Sequence, residues 1–252
     1  IASLEKELSV TLFQKKGRNV QLTKCGEEFY QYVSQALGIL EHGIAVIKDR
    51  SGSINGTIDI GCIPTLLGDF LPNALDLYRE RNPGTTFNVF HEMSISVAEG
   101  VSAGTFDLGF CSMVEKKDDL VFIPITYQEL IVIVQKEHPL ACKDSIQLSD
   151  LKDYTLTTYR DTIPIGKTIR VLLKEKGVDA AYSYDDEKSG RAAIVADTPF
   201  LKQFDNLKKI RLTDVPKDTR MIYMVYSKKN FITSAVEAFA NFMVANCLNL
   251  PQ

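Results

Sequence analysis

Apolar residues fall at the spacing of a helix seam between residues 23 and 50. Tyr30, Val33, Leu37, Leu40, Ile44 and Ile47 alternate steps of three and four, which lays one apolar stripe along a single helix side. Thr23 can cap the N-terminus, Glu27 and Glu28 sit in the first turns where the helix dipole favours negative charge, and Lys48 and Arg50 stand near the other end. A helix of this length spans roughly 40 Å at about 1.5 Å per residue and is marginal alone in water. Something must cover the stripe. The segment in front is too small to supply a core, and the segment behind opens on a strand after the Ser51-Gly52-Ser53 break. The pattern predicts a linker helix over 24–50 whose stripe pairs with a second copy of the chain.

In front of the linker, Ile1, Leu4 and Leu8 share one helix face, with Glu5, Lys6 and Glu7 turned away. Thr11-Leu12-Phe13 and Val20-Gln21-Leu22 then read as a short hairpin around Lys16-Gly17-Arg18. Its tip carries Lys15, Lys16 and Arg18, which suits contacts to nucleic-acid phosphates and equally describes a solvated basic turn.

Behind the linker, strands alternate with helices. Thr57–Cys62 alternates apolar and polar, Leu66–Arg81 is a helix stopped by Asn82-Pro83-Gly84, and Thr85–Phe90 is a second strand. Ser94 can cap a helix ending at Gly104, and Asp107–Cys111 is a third strand. This order predicts an α/β fold with an open parallel sheet and crossover helices. Leu130–Val134 is a nearly continuous apolar run, as in a strand buried on both faces. Tyr154–Tyr159 is a further strand, Gly166–Lys176 a helix with Gly177 as its stop, and Arg220–Tyr226 a late strand.

At 252 residues the chain has room for two domains. Its net charge of −3 is unevenly placed. Residues 1–26 hold Lys6, Lys15, Lys16, Arg18 and Lys24 against Glu5 and Glu7, which is 5 − 2 = +3 and leaves −6 for the rest. A basic head on an acidic body suggests a nucleic-acid contact at one end. The five cysteines (Cys25, Cys62, Cys111, Cys142, Cys247) are odd in number and form no C-x-x-C pair, which speaks against a disulfide framework or zinc site and for reduced, cytoplasmic surroundings. No run of about 18 apolar residues and no charged-then-apolar leader is present, so no membrane span or signal peptide is expected.

The residues also carry a family resemblance. Ile1-x-x-Leu4-Glu5-x-x-Leu8-x-x-x-Leu12-Phe13, followed by Arg18-x-x-x-Leu22-Thr23-x-x-Gly26, resembles the second half of the winged helix-turn-helix of LysR-type transcriptional regulators. Gly56-Thr57-Ile58-Asp59-Ile60-Gly61, Pro72, Asn82-Pro83, Gly104-x-x-Asp107-Leu108 and Glu129-Leu130-x-x-Ile133 with His138-Pro139-Leu140 resemble that family's effector domain, a periplasmic-binding-protein-like fold. The resemblance implies a remnant of the DNA-binding unit at 1–23, the linker at 24–50 and a two-lobed effector domain at 57–252. Lobe one is expected at about 57–126 and 227–252, with a helix over Ser234–Cys247, and lobe two at about 127–226. It implies the rear of a recognition helix and a basic wing, with the base-reading residues outside this sequence. Gln14 stands where the family usually has arginine. The expected partners are double-stranded DNA, a small-molecule effector, and one or three further copies of the chain.

One departure is visible. Only Asp185–Arg191 separate Tyr182–Tyr184 from Ala192–Val195, whereas a parallel crossover needs a dozen or more residues and the family has a helix there. Either the helix is deleted or residues between Lys188 and Gly190 are absent from this sequence; the second is favoured.

In folds of this kind a ligand sits at strand C-terminal ends, near helix N-termini. That selects Pro64 and Thr65 after the first strand, Ser112 after the third, and Thr158 and Tyr159 after the strand beginning at Tyr154. Local backbone bonding is a nearly equal reading for each threonine alone. No arginine stands at these ends, which points to a monocarboxylate, neutral amide or small apolar acid. No G-x-S-x-G, Walker, H-E-x-x-H or G-x-G-x-x-G pattern supports an enzyme, and no cofactor or metal is expected. His138 reads as a turn residue, and His42 and His91 do not group with it. The alternatives are a thiol redox regulator of the same fold using Cys62 and Cys111, which read more readily as buried small residues, and a solute-binding protein, which would not need the wing or linker.

Overall fold

The computed structural model describes residues 1–16, 19–30, 32–33, 36–37, 40, 56–115, 117–178, 191–230 and 232–246. The chain opens with helix α1 (Ala2–Leu8) and a hairpin of β1 (Phe13–Lys16) and β2 (Asn19–Leu22), in which Lys16 faces Asn19 across the turn. The Glu5 carboxylate ties them together, accepting the N–H groups of Leu12 at 2.6 Å and Phe13 at 3.1 Å. Thr23 is the cap the sequence suggests: its Oγ1 accepts the Gly26 N–H at 3.0 Å and donates to the Thr11 carbonyl at 2.7 Å. A Cβ on Gly26 would stand 2.0 Å from the Leu12 carbonyl oxygen, so only glycine lets this helix leave the hairpin so closely. The linker helix, α2, is helical at 24–30 and at the described positions 32, 33, 36, 37 and 40.

The remaining chain forms two sheets, each with its own apolar core, so it has two lobes. In lobe one, β3 (Gly56–Cys62), β4 (Thr85–His91) and β5 (Leu108–Ser112) are parallel, linked by α3 (Phe70–Arg81) and α4 (Ser94–Ala103). Two antiparallel strands, β6 (Leu120–Gln128) and β12 (Arg220–Ser227), complete the order β4-β3-β5-β12-β6. The C-terminal helix α6 (Ser234–Asn246) closes this core, with the Phe239 ring 5.0 Å from Tyr78 and 4.9 Å from Phe87. In lobe two the order is β8-β11-β7-β10-β9, from β7 (Leu130–Gln135), β8 (Ser145–Ile146), β9 (Thr155–Thr157), β10 (Arg191–Ala196) and β11 (Leu207–Leu212). Helix α5 (Pro164–Glu175) lies on the connection between the parallel pair β9 and β10.

Several expectations change. The late strand placed at the end of lobe two belongs to lobe one, because β12 pairs with β5 and with β6 from Gln128 to Leu120; lobe two therefore runs from about Glu129 to Thr219 rather than 127–226. Ser94 does not cap α4. Met93 holds the cap position, and the Ser94 hydroxyl accepts the Ser112 N–H at 3.3 Å, binding the helix start to the end of β5. The strand expected over Tyr154–Tyr159 shortens to β9, because Thr158 and Tyr159 turn toward β10. The link around Lys188 and Gly190, with Tyr182–Tyr184, lies outside the described residues.

Candidate effector cleft and nucleic-acid contact

The lobes are joined where β6 ends and β12 begins, and the polar groups of the cleft gather at this junction. After β3, Pro64–Leu66 forms a 3-10 turn, and α3 starts only at Phe70 with Asp69 as its cap. Thr65 is therefore not a helix cap. Its hydroxyl accepts Arg220 Nη2 at 3.3 Å, and its carbonyl accepts Gln128 Nε2 at 3.1 Å. Arg220 Nη1 donates to Gln128 Oε1 at 2.6 Å, closing a triangle of residues from the 3-10 turn, the end of β6 and the start of β12.

Arg220 is 8% exposed, and its Nε–H has no hydrogen-bond partner among the described residues. Burial pushes its pKa down to about 10, partly opposed by the nearby Tyr159 phenol, so the guanidinium remains charged at neutral pH. Sequence reading missed this residue. The only local signal is a cation heading the otherwise apolar run Met221-Ile222-Tyr223-Met224-Val225, and its partners lie far away along the chain.

Ser112, at the end of β5, is buried and meets Arg220 on the wall of a cavity of about 150 Å³. Lobe one supplies Ser112, Met113 and Arg220 to this wall, and lobe two supplies Pro164, Ile165 and Thr168. Thr158 and Tyr159 approach from lobe two already engaged: Thr158 Oγ1 donates to the Ile194 carbonyl at 3.0 Å, and the Tyr159 hydroxyl accepts the Ala196 N–H at 3.2 Å. Pro64 is exposed at the head of its turn. The structure thus brings Thr65, Ser112 and Tyr159 toward Arg220, while the Thr158 hydroxyl is spent on the Ile194 carbonyl of β10.

At the other end of the chain, Lys15 and Lys16 are exposed on β1, and Arg18 lies outside the described residues. Gln14 turns back onto the hairpin, its Nε2 donating to the Leu22 carbonyl at 3.3 Å. Along α2, Tyr30, Val33, Leu37 and Leu40 are 61%, 36%, 52% and 61% exposed, an apolar stripe open to solvent; Ile44 and Ile47 lie outside the described residues.

Cys62 and Cys111 are buried, and burial pushes both thiols up, Cys111 to about 12 and Cys62 further, with Cys111 itself adding to the rise at Cys62. A peroxide-sensing cysteine needs an accessible thiolate, so this pair has the wrong surroundings. His138 is a turn residue: its Nδ1 accepts the Leu140 N–H at 3.1 Å and its ring packs 4.7 Å from Tyr154. Among the described residues no group of three or more His, Cys, Asp or Glu could hold a metal ion, and no helix is long and apolar enough to cross a membrane.

A basic hairpin, a helix with an open apolar seam and a two-lobed domain with an interlobe cavity together define the architecture of a ligand-responsive DNA-binding protein. Residues 51–185 match the family described as LysR substrate binding domain. Over 98% of its length the chain is 24% identical to the HTH-type transcriptional regulator YybE of Bacillus subtilis, covering 87% of that protein. It is 30% identical over 154 residues to the transcriptional dual regulator GltC of the same organism, a match that takes in 61% of this chain and 51% of GltC. Among solved structures, the effector binding domain of QuiR in complex with shikimate superposes with a TM-score of 0.69 at 29% identity, over 77% of this chain and 98% of that one. The chain belongs to the LysR family of transcriptional regulators.

Proposed function

We propose that this protein binds double-stranded DNA as a homo-oligomer and that a small molecule held between the lobes of its effector domain controls that binding or the activation that follows. The observation that carries the reading is the polar cluster of Thr65, Gln128 and Arg220 at the junction of the lobes, of which Arg220 also lines a cavity with Ser112 of lobe one and Pro164, Ile165 and Thr168 of lobe two. A ligand touching both walls would change how the lobes sit, and α2 connects that change to the basic hairpin. Lys15, Lys16 and Arg18 are the phosphate contacts of this reading, and the stripe of Tyr30, Val33, Leu37, Leu40, Ile44 and Ile47 joins two copies. The expectation of a monocarboxylate or an uncharged analogue rested on there being no arginine at the strand ends. Arg220 removes that premise, and a single buried cation favours one carboxylate. The shikimate in QuiR, a similar domain, supports a small hydroxylated acid as a first candidate.

The test is footprinting of the full-length protein upstream of its own coding region at two salt concentrations. Protection that weakens steeply with salt is expected, because phosphate contacts release counterions. Protection that never appears, or that ignores salt, overturns the reading.

A further inference from the structure

The hairpin of β1 and β2 belongs to neither apolar core, and it is exposed along both strands apart from the half-buried Leu22. A two-stranded hairpin is marginal by itself in water, so its anchors decide where Lys15 and Lys16 stand. Those anchors converge on Thr11–Phe13. From α1, Glu5 receives three amide groups. The helix ends at Ser9, whose left-handed φ of 54° turns the chain back, and Val10 then donates to the Glu5 carbonyl at 3.2 Å. One oxygen of the Glu5 carboxylate accepts the N–H groups of Leu12 at 2.6 Å and Phe13 at 3.1 Å. From α2, Thr23 takes the carbonyl side: its Oγ1 donates to Thr11 at 2.7 Å, and its N–H donates to Leu12 at 2.9 Å. The buried Leu12 is thus held at its N–H by one helix and at its carbonyl by the other. Resting on the reading of the basic hairpin as the DNA contact, we propose that Glu5 and Thr23 are positioning residues for that contact, clamping Thr11–Phe13 between α1 and α2 and so fixing where Lys15 and Lys16 meet the phosphates.

The chemistry of the two side chains suits this task. A carboxylate oxygen can accept two N–H groups at once, and bonds to a charged acceptor are stronger than neutral ones. A hydroxyl donates and accepts together. Thr23 spends its donor on the hairpin and its acceptor on the Gly26 N–H at 3.0 Å, in the first turn of α2, so a single atom joins strand and helix. Lys15 stands two residues beyond Phe13 on an extended strand, roughly 7 Å at about 3.3 Å per residue, so the lysines ride close to the clamp. A shift of α2 therefore carries them with it, and phosphate contacts set the register of a protein on a duplex. Without the clamp the hairpin swings while its charge stays the same.

The test is a mutant cycle read by fluorescence anisotropy, using the full-length protein and the DNA upstream of its own coding region at several salt concentrations. Glu5→Ala is compared with Glu5→Gln, which has the same charge and keeps an acceptor oxygen, and Thr23→Val with Thr23→Ser, which keeps the hydroxyl. Each is made with Lys15 and Lys16 intact and with both changed to Ala. With the lysines intact, Ala against Gln and Val against Ser should each weaken binding by roughly three- to tenfold, the range for one lost neutral hydrogen bond, and lower the slope of log affinity against log salt. Thr23→Ser should match wild type. With the lysines removed, neither comparison should show a difference. Equal losses in both backgrounds mean that Glu5 and Thr23 support the fold only, which overturns the proposal, as does the absence of any loss in either. Urea unfolding is followed in parallel: where one variant unfolds, the other, on a different helix, decides, and unfolding of both makes the clamp a folding element and overturns the proposal too. If removing Lys15 and Lys16 leaves affinity and slope untouched, the hairpin is not the DNA contact and the underlying reading fails, whereas a lysine effect without a clamp effect overturns the clamp alone.

Discussion

Replacing Leu37 and Leu40 together by Glu should split the oligomer that the linker holds. In one copy the two side chains are 52% and 61% exposed, so roughly half of each remains to be covered by a partner. Fully burying a leucine is worth about 1.5–3 kcal/mol, and half of that over two residues in each of two chains comes to about 3–6 kcal/mol. Glutamates facing one another across the seam add repulsion and desolvation to this loss. The dissociation constant for that interface should rise by about a hundredfold to ten-thousandfold. Sedimentation velocity over a dilution series reads this directly: wild type keeps its mass at concentrations where the double variant falls to half or less. Tyr32→Glu is the control, because Tyr32 is 72% exposed but lies outside the three-four stripe, and its mass should not change. An unchanged mass for the double variant, or an equal loss with Tyr32→Glu, refutes the seam.

Lys15→Ala and Lys16→Ala should each weaken DNA binding about equally on all sequences and lower the slope of log affinity against log salt by roughly one; an unaltered slope places the phosphate contacts elsewhere. Native thiol titration followed by peptide mapping should label Cys25 and Cys142, which are exposed, and spare Cys62 and Cys111 until the protein unfolds. Labelling of Cys62 by peroxide or reagent in the folded protein would restore the redox alternative. Phe239→Ala removes a fully buried ring packed on Tyr78 and Phe87 and should cost about 3–5 kcal/mol in urea unfolding, where a loss below about 1 kcal/mol would show that α6 is not part of the lobe-one core.

The alternation of strands and helices was legible because its signals are local. The runs that became β3, β4, β5 and β7 announce themselves by apolar pattern, and Thr23 caps its helix through a bond spanning three residues. What was hidden depends on pairing between distant segments. β12 reads as a strand in sequence, yet nothing in its residues says that it crosses back to lie between β5 and β6. Helix α3 begins at Phe70, later than the expected Leu66, because Pro64–Leu66 is a 3-10 turn and Asp69 supplies the cap. At the site, Thr65 and Ser112 follow from the rule that ligands gather at strand ends. Arg220 does not, since it stands at the start of its strand; only the antiparallel crossing of β12 carries a strand's beginning to the ends of the parallel ones.

The central claim is that occupancy of the cleft changes the engagement of DNA. Its most direct measurement is footprinting of the full-length protein with and without saturating shikimate, the first candidate acid, repeated on Thr65→Val. The account predicts that the acid changes the extent or strength of protection for wild type and leaves the variant's pattern unaltered. Identical protection with and without saturating acid in wild type, or the same change in both proteins, would contradict it.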